Sequence, residues 1–175
     1  METDVQIDDW LKQVVIRKLN ERDLPALEWD GEYTHFRRVY ADAYRRQVRG
    51  VSVLWVADLP KAGIIGQVFI QLICDRKELA DGFRRAYLYS FRVRDPYRNQ
   101  GLGTRMVNAL VADLRRRRFK ILTLNVAKEN ERARALYERL GFTVVSSEPG
   151  VWSYIDHLGF RQNMEEPAWR MEKVL

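Results

Sequence analysis

Residues 85–114 read RAYLYSFRVRDPYRNQGLGTRMVNALVADL, and this stretch determines the fold prediction. Its first nine residues are rich in aromatic and β-branched side chains, which is typical of a strand. Regular alternation places four of them on one face of that strand: Tyr87, Tyr89, Phe91 and Val93. The apolar residues that follow at helical spacing are Leu102, Met106, Leu110 and Leu114. The stretch therefore predicts a strand, a glycine turn and an amphipathic helix in direct succession.

The turn contains two glycines, Gly101 and Gly103. Glycine adopts positive φ at little cost and lets main-chain amides approach a ligand closely. Because amides at a helix N-terminus are unpaired and favour an anion, a phosphate or pyrophosphate is one expected ligand, and a connection that binds nothing is the alternative. No lysine follows Gly103, which argues against a P-loop, and Met106 breaks the dinucleotide fingerprint GxGxxG.

Further strands are predicted at residues 14–19, 51–59, 64–73, 120–126, 142–145 and 169–174. A helix is predicted over 23–49 with a break at Asp30–Gly31, and another over 130–140, ending at Gly141. Residues 60–63, PKAG, predict a hairpin turn. Strands that alternate with helices in this order indicate a mixed sheet with helices on both faces.

Composition points to one globular domain over residues 1–175, since 46% of the residues are apolar and 31% are charged. The single cysteine, Cys74, excludes an internal disulfide and is expected to be buried. With two histidines and one cysteine, no metal site is expected. The acidic N-terminus and the absence of a long apolar run predict a cytoplasmic protein without a membrane partner.

The formal charge of +6 attracts anions, which include nucleic acids and phosphorylated cofactors. The basic residues are scattered in short groups, however, and the longest group, residues 115–118, closes the predicted helix. Cations at a helix C-terminus complement the helix dipole. Nucleic acid is therefore not favoured as a partner.

Two motifs give the chain a family resemblance. The RxxGxG pattern at residues 98–103 resembles the acetyl-CoA motif of the GNAT (GCN5-related) N-acetyltransferases. Residues 130–142, NERARALYERLGF, are similar to the NxxAxxLYExxGF segment of the same family. The resemblance implies an α/β fold with a mostly antiparallel sheet of about seven strands, splayed between strands 4 and 5.

By this resemblance, the pantetheine arm of acetyl-CoA lies in the splay and the diphosphate lies on the glycine turn. Pantetheine is expected on the main chain of Phe91, Arg92 and Val93. The diphosphate is expected on the amides of Arg98, Gln100, Gly101, Gly103 and Thr104. Asn130 is expected to contact the cofactor, to cap its helix, or both. For the 3′-phosphate, Lys128, Arg132 and Arg134 stay open.

The resemblance also implies direct attack of a primary amine on the thioester, with Tyr137 as the general acid for the departing thiolate. A tyrosine that only packs in the core is the alternative. The general base is unassigned, because Tyr89 stands where many members carry a glutamate. Asn125 is a candidate for orienting a water. The other residues near the expected acceptor region are interpreted as surface or packing residues: Glu28, Glu32 and His35.

The acceptor is expected to be a small molecule or a protein or peptide amine, and a homodimer is left open. Trp152 and Tyr154 either line the acceptor pocket or belong to a hairpin that packs on the sheet, and residues 156–159 form a turn. A non-catalytic acyl-CoA-binding regulatory module is the alternative function.

Overall fold

The computed structural model describes residues 10–175, and within them seven strands form one sheet. The sheet strands are β1 (Val15–Lys18), β2 (Ser52–Leu59), β3 (Gly63–Gln71), β4 (Arg85–Val93), β5 (Ile121–Ala127), β6 (Thr143–Glu148) and β9 (Ala168–Val174). Their order across the sheet is β1-β2-β3-β4-β5-β9-β6. The α-helices are α1 (Arg37–Val48), α2 (Leu102–Arg116) and α3 (Glu131–Arg139). Only β4 and β5 pair in parallel, so the expected mixed, mostly antiparallel sheet is confirmed.

The sheet separates two apolar clusters. On one face, Met106 and Leu110 of α2 and Tyr137 of α3 pack with Leu88 of β4. On the other face, the buried residues of α1 and the preceding 3-10 segment pack on β2 and β3: Leu27, Tyr40, Ala43, Leu54, Val56 and Phe69. The amphipathic patterns thus produce helices on both faces, as expected.

A β-bulge in β4 contradicts the expected alternation of Tyr87, Tyr89, Phe91 and Val93 on one face. In the antiparallel pairing with β3, Tyr89 lies opposite Phe69 and Arg92 lies opposite Gln67, so β4 carries one extra residue. Because the extra residue reverses the alternation, Phe91 and Val93 join the cluster under α2, whereas Tyr89 stays on the α1 face.

The segment before α1 is also different from the expected helix over 23–49. Glu21–Gly31 is a 3-10 helix, in which Pro25 cannot donate a main-chain hydrogen bond. The expected break lies at Trp29, Asp30 and Gly31, whose φ values are 44°, 57° and 104°. This left-handed turn redirects the chain into the 3-10 turn Thr34–Phe36 and then α1.

The C-terminal region adds a two-stranded sheet to the expected strands. β7 (Val151–Ile155) and β8 (Arg161–Glu165) form a hairpin between β6 and β9, which pair with each other. Asp156 Oδ1 accepts from the amides of Leu158 and Phe160 at 2.9 Å each, which confirms the turn over 156–159.

Two other local expectations concern Cys74 and the arginine run at residues 115–118. β3 ends at Gln71, before Cys74, so this cysteine lies half-buried in a loop and the expectation of a buried thiol was wrong. The arginine run closes α2, which ends at Arg116, and Asp113 forms ion pairs there with Arg116 and Arg117. Among residues 10–175, none of the helices has the length and apolarity to cross a bilayer.

Candidate active site

The site begins where β4 and β5 stop pairing. Their last paired residues are Leu88 and Leu124, although β4 continues to Val93 and β5 to Ala127. The two strands therefore separate and leave a gap in the middle of the sheet. Main-chain groups that face such a gap lack a strand partner, which makes them available to an extended ligand.

The bulge is centred at Ser90, whose φ of 53° lies in the left-handed region. Such a conformation costs a non-glycine residue about 1–2 kcal/mol. The fully buried Gln67 holds it, because its Nε2 donates to the Ser90 hydroxyl at 2.8 Å and to the Ser90 carbonyl at 3.3 Å. The strained residue thus lies at the mouth of the gap, and no feature of the sequence indicated it.

The glycine turn follows β4 directly and ends at the N-terminus of α2. Gly101 is the N-cap, with φ 94° and ψ −2°, so the positive φ expected for a glycine here is observed. Gly103 permits a close approach instead, since a Cβ at this position would lie 3.3 Å from Phe91 Cζ. The turn and the end of β4 are therefore packed together.

Most amides of this turn have no main-chain partner. Among the described residues of the turn and the first turn of α2, no acceptor is found for the amides of Asn99, Gln100, Gly101, Leu102, Gly103 and Thr104. The Arg98 amide, in contrast, donates to the Asp95 carbonyl at 3.2 Å. The Arg98 side chain donates through Nε to the Val93 carbonyl at 2.7 Å. A cluster of free amides at the start of a 15-residue helix has the geometry that favours an anion.

Tyr137 lies next to the gap on the α2 face. Its ring centroid is 6.3 Å from that of Phe91 and 5.6 Å from that of Phe142. Burial raises the pKa of the Tyr137 hydroxyl well above its usual range, so this phenol stays protonated at neutral pH. The structure thus brings Phe91, Gly103 and Tyr137 together from three elements.

On the opposite face, the gap opens into a cavity of about 540 Å³. Its lining includes residues that flank the gap, namely Ser90 of β4 and Asn125 and Ala127 of β5. Aromatic rings form much of the remaining wall: Phe36, Tyr40, Phe69, Tyr87, Tyr89 and Trp152. Trp152 therefore lines the pocket, whereas Tyr154 stacks behind it at 5.4 Å and packs on Phe36 at 4.9 Å.

The ionisable groups in and beside the cavity include more guanidinium groups than buried carboxylates, together with two buried tyrosines. Glu148 accepts from Arg76 at 2.9 Å and lies 3.6 Å from Arg170, so two guanidinium groups face one carboxylate. Burial raises the pKa of Tyr87 to about 12. Burial also raises the pKa of Tyr89, against an opposing effect of the Arg46 charge. Both tyrosines are neutral at pH 7.

Two buried polar atoms beside the gap have no hydrogen-bond partner within residues 10–175. They are Asn125 Oδ1 and the Tyr89 hydroxyl, and both residues line the cavity. A buried polar group without a partner costs about 1–3 kcal/mol. A ligand or a water in the cavity would remove that cost, so these atoms mark where a polar group of a ligand is favoured.

The residues of the first half that were interpreted as packing or surface residues lie outside this cavity. Glu28 forms a two-point ion pair with Arg37, at 2.8 and 2.9 Å, which lowers the pKa of the Glu28 carboxyl. His35 packs on Phe36 with ring centroids 4.2 Å apart, and Glu32 is exposed.

Asn130 and the three basic residues near it lie at and after the β5–α3 loop. Asn130 Oδ1 accepts from the Ala133 amide at 3.1 Å, so this residue does cap α3. The Lys128 ammonium and the Arg134 guanidinium lie over the Trp169 ring, at 4.3 and 5.6 Å from its centroid. Arg132 is exposed at the start of the helix.

Sequence reasoning missed the Arg92 side chain, which the bulge turns into the cavity. Alternation would place it on the α2 face, but its Nη1 donates to the Tyr40 hydroxyl at 2.8 Å on the α1 face. It also missed Arg76 and Glu148, which come from loops and strand ends far apart in the chain and form an ion pair only in the fold.

The sequence is similar to one protein family and to several N-acetyltransferases. Residues 16–142 match the Acetyltransferase (GNAT) family. The chain is 46% identical over 63 residues to the 5-NmdU N-acetyltransferase of Pseudomonas phage PaMx11, which covers 36% of this chain and 43% of that protein. It is 26% identical over 106 residues to N-alpha-acetyltransferase 50 of Danio rerio, covering 60% and 63%. The matches span about half of the length of these relatives.

Solved structures share the fold over almost the whole chain. The Ard1 structure from Thermoplasma volcanium has a TM-score of 0.71 at 16% identity, covering 93% of this chain and 98% of that one. The spermidine/spermine N-acetyltransferase SpeG from Vibrio cholerae has a TM-score of 0.68 at 18% identity, covering 94% of each chain. Because the family match covers most of the chain and includes the splayed strands and the glycine turn, this protein is a member of the GNAT acetyltransferase family.

Proposed function

We propose that the protein is an acetyl-CoA-dependent N-acetyltransferase that acts on a primary amine within a ternary complex. The observation that carries this proposal is the gap between β4 and β5, which has free helix-terminal amides at one end and an aromatic cavity on one face. Such an arrangement has room for a thioester in the middle, an anionic cofactor at the turn and a separate acceptor in the cavity.

In this proposal, CoA binds through main-chain groups. The amides from Gln100 to Thr104 hold the diphosphate, with the α2 dipole adding to the attraction. The main chain of Phe91, Arg92 and Val93 holds the pantetheine arm as an added strand in the gap, and Asn130 contacts the cofactor while it caps α3. The Val93 carbonyl already accepts from the Arg98 side chain, and its second lone pair is available for pantetheine.

Tyr137 acts as the general acid in the proposed reaction. The amine nitrogen forms a bond to the thioester carbonyl carbon, the C–S bond breaks, and the phenol supplies a proton to the departing thiolate. The acetylated nitrogen loses one proton to solvent, and the phenolate takes one back from solvent. Because burial raises the pKa of Tyr137, the hydroxyl is fully protonated at the pH where the amine reacts. Its position beside Phe91 places it at the α2 side of the gap.

The amine must lose a proton before it attacks. An alkylamine with a pKa near 10.4 is neutral in about one molecule per thousand at pH 7.4, a cost of about 4 kcal/mol. Tyr89 is no base at this pH, because burial raises its pKa. Asn125 Oδ1 and the Tyr89 hydroxyl, both without partners, are suited to hold a water that accepts this proton and passes it to solvent.

The names of the relatives span different acceptors. One is named for 5-NmdU, another is an N-alpha-acetyltransferase, and the structural neighbour SpeG acts on spermidine and spermine. What these names share is acetyl transfer to a nitrogen atom. In our proposal for this chain the acceptor is a primary amine, and the cavity wall decides which amine enters.

The experiment is a screen of amines with acetyl-CoA in which free CoA is detected through its thiol. Thiol release that depends on both the protein and an amine supports the proposal. A protein that is stabilised by acetyl-CoA but releases no thiol with any amine would instead be a non-catalytic acyl-CoA-binding module. A protein that neither binds acetyl-CoA nor releases thiol would refute both functions.

A further inference from the structure

Arg92 is an arginine in the cavity wall whose charge has no carboxylate partner. Within residues 10–175, no carboxylate oxygen lies within 4.0 Å of its guanidinium, which is bonded only to neutral groups. Nη1 donates to the Tyr40 hydroxyl at 2.8 Å and to the Ser90 hydroxyl at 3.1 Å. The remaining donors, on Nε and Nη2, have no protein partner among the described residues.

The guanidinium is held in position by cation–π contacts with two aromatic rings. Its Cζ lies 4.2 Å from the centroid of the Tyr33 ring and 5.1 Å from that of Phe36. The left-handed turn at 29–31 directs the chain so that Tyr33 reaches this position. A fixed guanidinium with free fork donors matches the geometry of a carboxylate or a phosphate.

The charges around the cavity also favour an anion. Glu148 is already paired with Arg76 and Arg170, so it does not neutralise Arg92. Arg46, whose charge reaches the Tyr89 hydroxyl, likewise has no carboxylate within 4.0 Å in the described part of the chain. The second lining carboxylate, Glu166, is exposed to solvent, which screens it.

Several other arginines of this protein, unlike Arg92, are paired with carboxylates. Arg94, two residues further along, stacks on the Trp29 ring at 5.2 Å and lies 3.5 Å from an Asp30 carboxylate oxygen. Arg17 and Arg85, both partly buried, are also paired with carboxylates. Arg92 combines a fixed position, free donors and no counter-ion, and it faces the cavity that opens onto the gap.

We propose that Arg92 binds an anionic group of the acceptor, so that the substrate is a small primary amine that also carries a carboxylate or a phosphate. This inference rests on the proposed function, because it concerns the acceptor side of the same site. The aromatic rings contact the body of the acceptor, and the amine lies towards Ser90 and Asn125 at the gap. A polyamine, with a second cation in place of the anion, is disfavoured by Arg92.

The test uses four para-substituted benzylamines that differ in the para group; kcat/KM of the diamine, which has two amines, is counted per amine. They are 4-(aminomethyl)benzoate, its neutral amide, 1,4-bis(aminomethyl)benzene and 4-(aminomethyl)phenyl phosphate. We expect kcat/KM to be about 10- to 100-fold higher for an anionic member than for the amide, and lowest for the diamine. Whether the carboxylate or the phosphate reacts faster identifies the source of the anion.

Substitution of Arg92 then separates recognition from packing. Arg92→Gln should reduce the ratio of kcat/KM between the best anionic acceptor and the amide to about 1, mainly through KM. Arg92→Lys should restore part of that ratio, since it keeps the charge without the fork. Arg94→Gln is the matched control: it removes a stacked arginine whose charge is already paired, and it should leave the ratio unchanged.

Several outcomes would overturn the inference. The inference is overturned if the diamine is the best acceptor. It is also overturned if Arg92→Gln loses activity equally with all four acceptors. If no amine is acetylated, the proposed catalysis is refuted. The anion site at Arg92 is then tested separately, by measuring the binding of an anionic amine. An NMR titration of the CoA-loaded protein with 4-(aminomethyl)benzoate should then show binding that Arg92→Gln abolishes, and binding that is absent or unaffected would contradict the site.

Discussion

Gly101→Ala perturbs the anion site through the backbone alone. Gly101 adopts φ 94° as the N-cap of α2, and a Cβ there would meet only Leu11 Cδ2, at 3.9 Å. The substitution therefore adds strain without a clash. Relief of that strain requires the turn to change conformation, which redirects the neighbouring amides.

The structural cost of Gly101→Ala is about 1–2 kcal/mol, the usual penalty of a left-handed conformation for an L-residue. For a chain of this size, each kcal/mol lowers Tm by about 2–4 °C, so a fall of about 2–8 °C is expected. If the altered turn loses one amide–phosphate hydrogen bond, CoA affinity falls by about 10- to 100-fold, since a hydrogen bond to a charged group is worth about 1.5–3 kcal/mol.

The assay is calorimetric titration with CoA together with thermal unfolding of the unliganded protein. Gly50→Ala is the matched control, because Gly50 has φ +80° and nothing within 4 Å of its added Cβ. Gly50 precedes β2 at the end of the sheet where β4 begins, opposite the glycine turn. Equal losses of Tm with unchanged CoA affinity in both variants would refute the role of the glycine turn.

Three further predictions concern the general acid, the pH dependence of the reaction and an ion pair of the 3-10 segment Glu21–Gly31. Tyr137→Phe keeps the packed ring and should lower kcat about 100-fold with the CoA affinity unchanged; an unaltered kcat would remove Tyr137 from the mechanism. Because burial raises the pKa of Tyr137, kcat/KM should rise with the neutral fraction of the amine and show no decline up to pH 10, whereas a decline near pH 9 would contradict a buried phenol acid. The Asp23 carboxylate accepts from Arg17 at 2.7 and 3.0 Å, and these bonds lower its pKa. Its stabilisation is therefore fully present at pH 7 and is lost as the pH falls through the lowered pKa. Asp23→Asn should cost about 1–3 kcal/mol in unfolding free energy at pH 7 and progressively less as the pH falls below about 4. A cost that does not change with pH would exclude the ion pair as its source.

The regular part of the fold was predictable because it depends on local patterns. The apolar residues of α2 at spacings of four, the glycine at its N-cap and the asparagine at the N-cap of α3 all have the conformations that these patterns predict. The mixed sheet followed from the order of strands and helices, and the family resemblance supplied the splay between β4 and β5.

The parts that were missed depend on contacts between residues distant in the chain. The bulge at Ser90 is held by Gln67 of the neighbouring strand, and a serine gives no local signal for positive φ. That one extra residue reverses the faces of Phe91 and Arg92, so the cavity wall could not be derived from alternation. The ion pair of Arg76 with Glu148 joins residues 72 positions apart.

A crystal structure of the protein with CoA bound tests the central claim most directly. We expect the diphosphate oxygens within about 3.2 Å of the amides of Gly101, Gly103 and Thr104, with pantetheine between the separated ends of β4 and β5. CoA bound elsewhere, with the gap empty and these amides facing water, would contradict the account.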